Sequence, residues 1–427
     1  MAPQGGTVRS KGAYVCASAF LLTLCASGLR ARDPSATPTE STPSSSLRIR
    51  KVRVLIVSQA PRARLRSSDT LVVFDASGGV QGRFDPDTAV VITPRGGKSL
   101  RVGDSLRVSS GVTIRSQDGA PIRVSQRQGD EWSPEFSYHG WIHLKVTEGR
   151  RLDVINHVDV ESYVACVVAN EVWPTFHEEA YRAQAIVSRS FVLYQMDRRP
   201  ATDVDVTATQ GSQVYRGIRT DGPGGRAAEA TEYTRGLVLT HRSDTGRDQL
   251  FCTYYSAACG GMSQSAALLG AEGDVEPLHG GVACDYCRIA PGDNYRWGPE
   301  TLSAADVLRR LAARYPSITS LGRIRRITPI ERTPAGRPVT LRIYGTGGTS
   351  HDILAERFRV AIGGMVAKST DCRITVGNGE VVFDEGKGFG HGLGLCQWGT
   401  QGQALEGKRA GEILAFYYPG SRLLRAY

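Results

Sequence analysis

The stretch YVACVVANEVWPTFHEEAYRAQAIVSRSFVLY, residues 163–194, decides the fold, because its pattern predicts two helices in direct succession. Apolar residues recur at helical spacing from Tyr163 to Val168, which predicts a first helix with one apolar face. This helix must end shortly after Glu171, since Pro174 cannot continue it. An acidic side chain therefore lies at the end of an apolar helix.

The second predicted helix begins a few residues later. Thr175 and Glu178 have the spacing of a capping box. An apolar stripe then runs from Ala180 to Tyr194. Gln184 falls inside this stripe, where a buried amide is costly unless it is paired. It therefore either caps a neighbouring loop or points into a site.

The rest of the chain is rich in strands. Short alternating runs separated by turn residues predict a small β module at 47–128 and further strands up to residue 158. Beyond residue 200, strands alternate with Gly-rich turns, and one helix is predicted around 304–315. Two short helices, near 397–405 and 411–417, close the chain. The fold class is α+β: a mixed, strand-rich body at 129–427 with a central helical pair that carries the acid, plus the N-terminal β module.

The composition is that of a globular protein. At ~150 residues per domain, 427 residues suggest two to three domains, and 41% hydrophobic residues suffice for their cores. The net charge of +10 comes mainly from arginine. No basic run alternates with aromatic residues, so we expect no nucleic-acid partner, and the charge suits solubility or an acidic polymer equally.

The N-terminus predicts export to the periplasm or cell envelope. A basic start precedes the apolar run 12–26, which is too short to span a bilayer but suits a signal peptide at 1–28. Residues 29–46 are rich in Pro, Ser and Thr and predict a disordered linker. We expect membrane contact only through the signal segment; signal cleavage and lipidation at Cys25 both stay open.

Glu171 is the candidate acid. The helix C-terminus carries partial negative charge, and the apolar neighbours Val172 and Trp173 would desolvate the anion, so we expect a raised pKa. A carboxyl group that stays protonated near neutral pH is what a general acid attacking a glycosidic bond needs. The alternative is a solvated glutamate at a frayed helix end.

A second candidate segment is GFGHGLGLCQWGTQG, residues 388–402, in which glycines alternate with other residues. Bare backbone around His391 lets a ligand approach closely. Gln397, Trp398 and Gln401 add polar and aromatic groups that suit sugar recognition, with the tryptophan as a stacking platform. The alternative is a tight glycine corner whose tryptophan belongs to the core.

Several separated motifs in this order resemble the stage II sporulation protein D family, which includes the amidase enhancer LytB. The resemblance covers the chain from about residue 139 to the end. The matching segments are 163–174, 179–191, 357–370, 388–402 and 413–420.

This resemblance implies lytic cleavage of peptidoglycan glycan strands, with the family's catalytic glutamate at Glu171. A lytic transglycosylase needs only one carboxylate, because the C6 hydroxyl of N-acetylmuramic acid is its nucleophile and a 1,6-anhydro end is its product. Residues in the matching motifs then become candidates for binding and orienting the substrate: Gln184, Arg189, His391, Gln397, Trp398 and Gln401.

Two other functions stay open. The first is a non-catalytic wall-binding module that stimulates a cell-wall amidase, which would be a further partner. The second is a glycoside hydrolase that pairs Glu171 with another carboxylate, for which Asp384 or Asp159 are the candidates.

Four cysteines, in the pattern Cys252-x6-Cys259 and Cys284-x2-Cys287, predict a structural zinc site that the chemistry does not require. Cys259 precedes a Gly-Gly turn near which, by the resemblance, some family members bind zinc with a histidine. Ser256 stands at that position here, so Cys252 is expected to supply the fourth ligand.

Disulfides are the competing interpretation, because an exported protein meets an oxidising compartment. Cys166 is expected in the core, and Cys372 and Cys396 have no evident partner in sequence.

Overall fold

The computed structural model describes residues 50–209, 211–220 and 222–427. The predicted signal peptide at 1–28 and the linker at 29–46 lie outside these residues. Within them, none of the helices has the length and apolar character needed to cross a bilayer.

Seven α-helices are present in the described residues. They are α1 Val160–Glu171, α2 Glu178–Arg198, α3 Gly222–Tyr233, α4 Ala304–Ala312, α5 Ala355–Ile362, α6 Gln397–Leu405 and α7 Ala410–Tyr417. Five short 3-10 helices lie between them, at Glu148–Arg150, Glu276–Leu278, Tyr286–Ile289, Gly292–Asn294 and Pro316–Leu321.

The strands of the described residues fall into two groups. The N-terminal group is β1 Lys51–Ala60, β2 Ala63–Arg66, β3 Leu71–Phe74, β4 Val80–Phe84, β5 Val90–Arg95, β6 Ser99–Val102, β7 Leu106–Ser109, β8 Val112–Ser116, β9 Ile122–Gln128, β10 Glu131–Trp132, β11 Phe136–Tyr138, β12 Trp141–Thr147, β13 Arg151–Asp159 and β14 Val206–Thr207. The C-terminal group is β15 Leu237–Arg242, β16 Asp248–Leu250, β17 Tyr255–Ser256, β18 Arg296–Trp297, β19 Glu300–Ser303, β20 Ile324–Arg332, β21 Pro338–Gly345, β22 Ser350–Leu354, β23 Arg373–Gly377, β24 Glu380–Asp384, β25 Gly386–Lys387, β26 Leu395–Cys396 and β27 Arg422–Arg425.

Two sheets form the N-terminal half. The first has the order β14-β1-β13-β12-β8-β3-β4, and the second has the order β10-β9-β2-β5-β6-β7, with β11 also paired to β9. β1 pairs with β13 along most of its length, so strands from both sides of residue 128 share one sheet. The predicted division at 128/129 therefore lies between strands that pair in one sheet.

The helical pair lies against the first sheet. Asp159, the last residue of β13, caps α1 by accepting a hydrogen bond from the Ser162 amide. The second helix starts at Glu178, with His177 as its N-cap, instead of the predicted box that begins at Thr175. The two helices pack on each other and on α3, and α2 also packs on α6. This packing buries the end of α1 within the main hydrophobic core.

A second hydrophobic core lies between residues 297 and 383. It is built from α4, α5 and the sheets β20-β21-β22 and β19-β24-β23. The described chain is thus a mixed α+β protein, and the predicted fold class is confirmed. The predicted helix near 304–315 is α4, and the two closing helices are α6 and α7.

Candidate active site

Glu171 is the last residue of α1, and its side chain is buried with 2% of the residue exposed. Its Oε1 accepts a hydrogen bond from the Val214 amide at 2.7 Å. The same oxygen accepts a second hydrogen bond from the Tyr255 hydroxyl at 3.1 Å. The carboxyl group is therefore held in one orientation by a backbone donor and a side-chain donor.

Burial raises the pKa of Glu171 above its ordinary value. Four opposing effects lower this pKa but do not outweigh burial: hydrogen bonds from Val214, Tyr255 and Gln397, and the charge of Arg216. The direction agrees with the sequence-based expectation, and the dominant physical cause is desolvation. A carboxyl group of this kind holds its proton to a higher pH than a solvated glutamate does.

The glycine segment 388–402 brings Tyr255 to the carboxyl group. β17 pairs in parallel with β26, so that Tyr255 lies opposite Leu395. Gly394, just before β26, has a φ of +58°, and a Cβ there would lie 2.1 Å from the Tyr254 carbonyl oxygen. Only glycine permits this close approach of the two backbones.

Two of the predicted substrate-binding residues meet at the end of α1. Gln397 Nε2 lies 3.4 Å from the Glu171 carbonyl oxygen and 3.3 Å from Gln184 Oε1, and it donates to both. Gln184 in turn donates to Ser188 Oγ at 3.2 Å. The two amides satisfy each other in the core, and they fix the glycine segment to the helix that carries Glu171.

His391 lies beside Tyr254, with 6.0 Å between the two ring centroids. It is 1% exposed, and its Nδ1 accepts a hydrogen bond from the Leu393 amide at 2.9 Å. Burial lowers the pKa of His391 to about 4, so the imidazole is neutral at neutral pH. A neutral, buried histidine that accepts a backbone bond holds the glycine turn in shape.

Arg189 lies away from Glu171. Its guanidinium is fully buried and forms an ion pair with Glu161, with an Nη2 to Oε2 distance of 2.6 Å. It also donates to the carbonyl oxygens of Thr231 and Leu237. Glu161 is ten residues before Glu171 on α1, a separation of roughly 15 Å along a helix. Arg189 therefore joins α1, α2 and α3 and is not brought to the candidate site.

Trp398 and Gln401 also differ from the expectation. Trp398 is 7% exposed and packs its ring 4.8 Å from that of Phe176 and 5.5 Å from that of Trp173, as the core alternative predicted. Gln401 accepts a hydrogen bond from the His177 amide at 2.6 Å, at the start of α2. Neither side chain offers a face for stacking or binding a sugar at Glu171.

An open groove of about 790 Å³ reaches the residues that flank the carboxyl group. Val214 and Tyr215 line it beside the buried acid, and Phe136 and Val360 belong to its more distant walls. Arg216 also lines the groove, and it is exposed there. A cation thus stands at the mouth of the site, close enough for its charge to act on Glu171.

The two candidate second carboxylates do not lie beside Glu171. Asp159 caps the opposite end of α1, and twelve residues of helix separate the two by roughly 18 Å. Asp384 forms an ion pair with Arg373 and lines a different groove, which borders the second core. Two-carboxylate hydrolysis needs the pair within ~5–9.5 Å, so Asp159 does not fit this role.

Four cysteine sulfurs meet in a buried cluster, which we call the cysteine cluster: Cys259, Cys284, Cys287 and Cys396, with all ligand atoms within 4.8 Å of one another. Cys252 was expected as the fourth member but lies outside, where its sulfur accepts a hydrogen bond from Gln195 at 3.8 Å. Cys396 takes this place because β26 lies beside β17 and ends at the start of α6. All seven described cysteines are free thiols.

Sequence reasoning missed Tyr255, Val214 and Arg216 at the acid, and Cys396 in the cluster. None carries a local signal in the sequence. Tyr255 is 84 residues from Glu171 and follows another tyrosine of identical character. Cys396 became a candidate only once the parallel pairing of β17 and β26 was known.

A comparison with known protein families finds a match that includes the helical pair. Residues 148–241 match the sequence model described as stage II sporulation protein. This segment contains α1, α2 and the Val214 amide that binds Glu171. The resemblance predicted from the motifs is confirmed.

Similar proteins extend over more of the chain. An uncharacterized protein of Brachyspira hyodysenteriae is 29% identical over 78% of this chain and 81% of its own length. The stage II sporulation protein D of Bacillus subtilis is 26% identical over 64% of this chain and 76% of its own length. The amidase enhancer of Bacillus subtilis is 36% identical over 18% of this chain, which is 10% of that protein.

Proposed function

We propose that this chain, whose residues 148–241 belong to the stage II sporulation protein D family, is an exported lytic transglycosylase that cleaves the glycan strands of peptidoglycan. Glu171 acts as the single general acid and base. The site of action is the cell envelope, where this substrate is found. One observation carries the proposal: a buried, oriented carboxyl group with a raised pKa lies beside an open groove.

The carboxyl group of Glu171 acts twice in the reaction, first as an acid and then as a base. The acid first donates it to the glycosidic oxygen while the bond from the anomeric carbon to that oxygen breaks. The resulting carboxylate then takes the proton from the C6 hydroxyl of the N-acetylmuramic acid, whose oxygen bonds to the anomeric carbon. The products are a 1,6-anhydro end and a free hydroxyl on the leaving sugar. No water is consumed, and Glu171 ends in its starting protonation state.

The surroundings of Glu171 support this cycle. Burial favours the protonated acid before the reaction, and the Val214 and Tyr255 donors stabilise the carboxylate formed between the two steps. Tyr255 is a positioning residue, because it acts through the carboxyl group. Gln184 and Gln397 hold the end of α1 in place from the other side.

End-group analysis tests the proposal. Purified glycan strands are incubated with the wild type and with Glu171→Gln, and the new ends are identified by mass spectrometry. We expect 1,6-anhydro ends from the wild type and a loss of ~10²-fold or more in the variant, because an amide is too weak an acid to protonate the leaving oxygen. Reducing ends formed by the wild type would contradict the transglycosylase.

A wall-binding activator of a cell-wall amidase is the second candidate function. The short match to an amidase enhancer favours it, and it makes a different prediction. In that case the wild type and Glu171→Gln would both bind glycan strands without cutting them. Both would also raise the rate of an added amidase equally. This result would replace the catalytic proposal.

We also propose that the cysteine cluster holds one structural zinc ion. A tetrahedral zinc ion with bonds of about 2.3 Å places its sulfurs roughly 3.8 Å apart. The sulfurs of Cys259 and Cys287 are 3.7 Å apart, and the cluster is fully enclosed. Hydrogen bonds from Cys259, Cys287 and Cys396 lower the pKa of the Cys284 thiol, while the pKa values of Cys259 and Cys396 are raised. Bound zinc would join α6 to two separate loops and would leave the chemistry at Glu171 to the protein.

Metal analysis with a matched pair of variants tests the zinc site. We expect about one zinc per chain in the wild type and in Cys252→Ser, but less than a fifth of that amount in Cys396→Ser. Both variants remove one buried thiol, and only the second removes a cluster member. Retention of zinc in Cys396→Ser, or a disulfide among the four cysteines in the purified protein, would contradict the site.

A further inference from the structure

The outward side of the second N-terminal sheet is lined with arginine. Strands β2, β5, β6, β7 and β9 carry seven arginines and no Asp, Glu or Lys: Arg64, Arg66, Arg95, Arg101, Arg107, Arg123 and Arg127. Successive side chains of a strand point to opposite sides, and the residues between these arginines face the core. All seven therefore lie on the side away from the core, which we call the arginine face.

The arrangement of the arginine face opposes folding. Arg66 lies directly opposite Arg123 in the pairing of β2 with β9, and Arg101 lies directly opposite Arg107 in the pairing of β6 with β7. Like charges in directly opposed positions destabilise a sheet. Because this arrangement lowers stability, a function of the surface explains it better than the fold does.

Acidic side chains neutralise only part of this charge. Arg64, Arg123 and Arg127 form ion pairs with acids from neighbouring turns or strands. The other arginines of the face form no ion pair with any residue that the structure describes. Each exposed pair of this type contributes ~0–1 kcal/mol. Because four of the seven arginines are unpaired among the described residues, a net positive field remains over the sheet.

Buried polar atoms without partners lie on the same face. Ser125 is 2% exposed and Thr93 is 7% exposed, and neither hydroxyl has a hydrogen-bond partner among the described residues. Ser125 lies directly opposite Arg64, and Thr93 lies directly opposite Arg101. The Nε atoms of both arginines are likewise buried and without partners. Arg101 thus faces an unpartnered hydroxyl and keeps its own Nε without an acceptor, whereas Glu135 already binds the guanidinium of Arg64.

We propose that the arginine face binds a linear phosphodiester polymer of the cell envelope. Unpaired donors on adjacent strands, ~4.8 Å apart, form the main anion subsite, which is Arg101 with Thr93 and Arg107. Arg66, whose Nε is also buried without a partner, gives a second subsite. Phosphate presents its oxygens in different directions from a tetrahedral centre, so two opposed arginines can each hold one oxygen. A carboxylate is satisfied by a single guanidinium fork. This inference does not depend on the reaction proposed for Glu171.

The face favours a polymer without bases. Single-stranded nucleic acids need exposed aromatic rings on which bases stack. Trp132 is the aromatic residue nearest to these arginines along β9 and β10, and its ring is covered by Arg64 and Arg127 at 4.7 and 5.7 Å. A polymer of polyol or sugar phosphates needs no such platform.

A binding titration tests the inference. Fluorescently labelled synthetic poly(glycerol phosphate) is titrated with the full-length protein, and the dissociation constant is measured by anisotropy at two salt concentrations. We expect Arg66→Gln combined with Arg101→Gln to weaken binding ~10-fold or more and to reduce its salt dependence, since two phosphate contacts are lost. Arg247→Gln combined with Arg325→Gln removes the same charge from exposed positions elsewhere and should change binding less than ~2-fold.

The outcome also identifies the class of polymer. Equal losses in the two double variants would show a response to net charge alone and would overturn the site. Tighter binding of single-stranded RNA or of polyglutamate of equal length would overturn the phosphodiester assignment. Circular dichroism of each variant confirms that the sheet is folded.

The Thr93 hydroxyl gives a test without a change of charge. We expect Thr93→Ala to weaken polymer binding ~3-fold or more, because the subsite at Arg101 loses a donor. The same variant should keep the thermal stability of the wild type or exceed it, since it removes a buried polar atom that lacks a partner. Unchanged binding in this variant would contradict the subsite.

Discussion

At the scale of single residues, the proposed cleavage depends on the proton of Glu171. Burial raises its pKa, while the hydrogen bonds from Val214 and Tyr255 limit the rise. A carboxyl group in this balance can give a proton to a leaving oxygen and still receive one afterwards. Because burial raises this pKa, the unfolding free energy of the protein must depend on pH.

The stability of Glu171→Gln should change with pH relative to the wild type. The pKa of Glu171 is raised in the folded state, so the folded protein binds more protons than the unfolded chain once the pH exceeds about 4.5. The wild type therefore loses stability as the pH rises through this window, and the glutamine variant does not. We expect the variant's advantage in unfolding free energy to grow from pH 4 to pH 7 in denaturant titrations. A constant difference would contradict a raised pKa.

Tyr255→Phe should shift the pH profile of cleavage. Loss of the hydroxyl raises the pKa of Glu171 further, because the bond to Tyr255 lowers it. We expect the basic limb of kcat/KM to move to higher pH and the maximum rate to fall ~10-fold or more as the acid loses its orientation. Tyr418→Phe is the control, because this buried hydroxyl donates to the Tyr254 carbonyl at 2.6 Å. Identical profiles for the two variants would contradict the role of Tyr255.

At the scale of elements, a buried ion pair sets the position of the helix that ends in Glu171. Arg189 on α2 pairs with Glu161 on α1 and donates to the carbonyl oxygens of Thr231 in α3 and of Leu237 after it. Glu161 also accepts hydrogen bonds from Tyr427 and the Gly236 amide. The pair is enclosed, so removal of one partner leaves an uncompensated charge in the core.

Arg189→Met should destabilise the fold without altering the chemistry. We expect a loss of ~3–5 kcal/mol in unfolding free energy. Arg235→Met breaks an exposed pair with Glu232 and should cost ~0–1 kcal/mol. The rate of cleavage per folded molecule, measured well below the melting temperature, should be unchanged in both. A fall of kcat in folded Arg189→Met would instead support a role in substrate orientation.

The elements show what local sequence can predict. The proline after Glu171 and the apolar spacing before it indicated α1, and α6 and α7 were placed nearly residue by residue. The start of α2 was misplaced by the Thr175 pattern, because His177 provides the cap and Gln401 of a distant helix binds its amide. Long-range contacts overrode a local signal here.

At the scale of the whole molecule, the site depends on contacts between distant segments. Glu171 meets Val214 and Tyr255, which are 43 and 84 residues away in the sequence. The cysteine cluster gains Cys396, which is 137 residues after Cys259, because β17 pairs with β26. Glycine spacing predicted that a ligand approaches residues 388–402 closely, whereas at Gly394 the structure shows the Tyr254 backbone in this place. Sequence pattern could therefore identify the acid and the turn, but not the tyrosine and the cysteine that complete the two sites.

The most direct test of the central claim follows the oxygen atom. Glycan strands are cleaved in water enriched in oxygen-18, and the new muramic acid ends are analysed by mass spectrometry. Intramolecular attack by the C6 hydroxyl predicts 1,6-anhydro ends without the heavy isotope, and no product from Glu171→Gln. Oxygen-18 in the new ends, or undiminished cleavage by the variant, would contradict a single-carboxylate transglycosylase centred on Glu171.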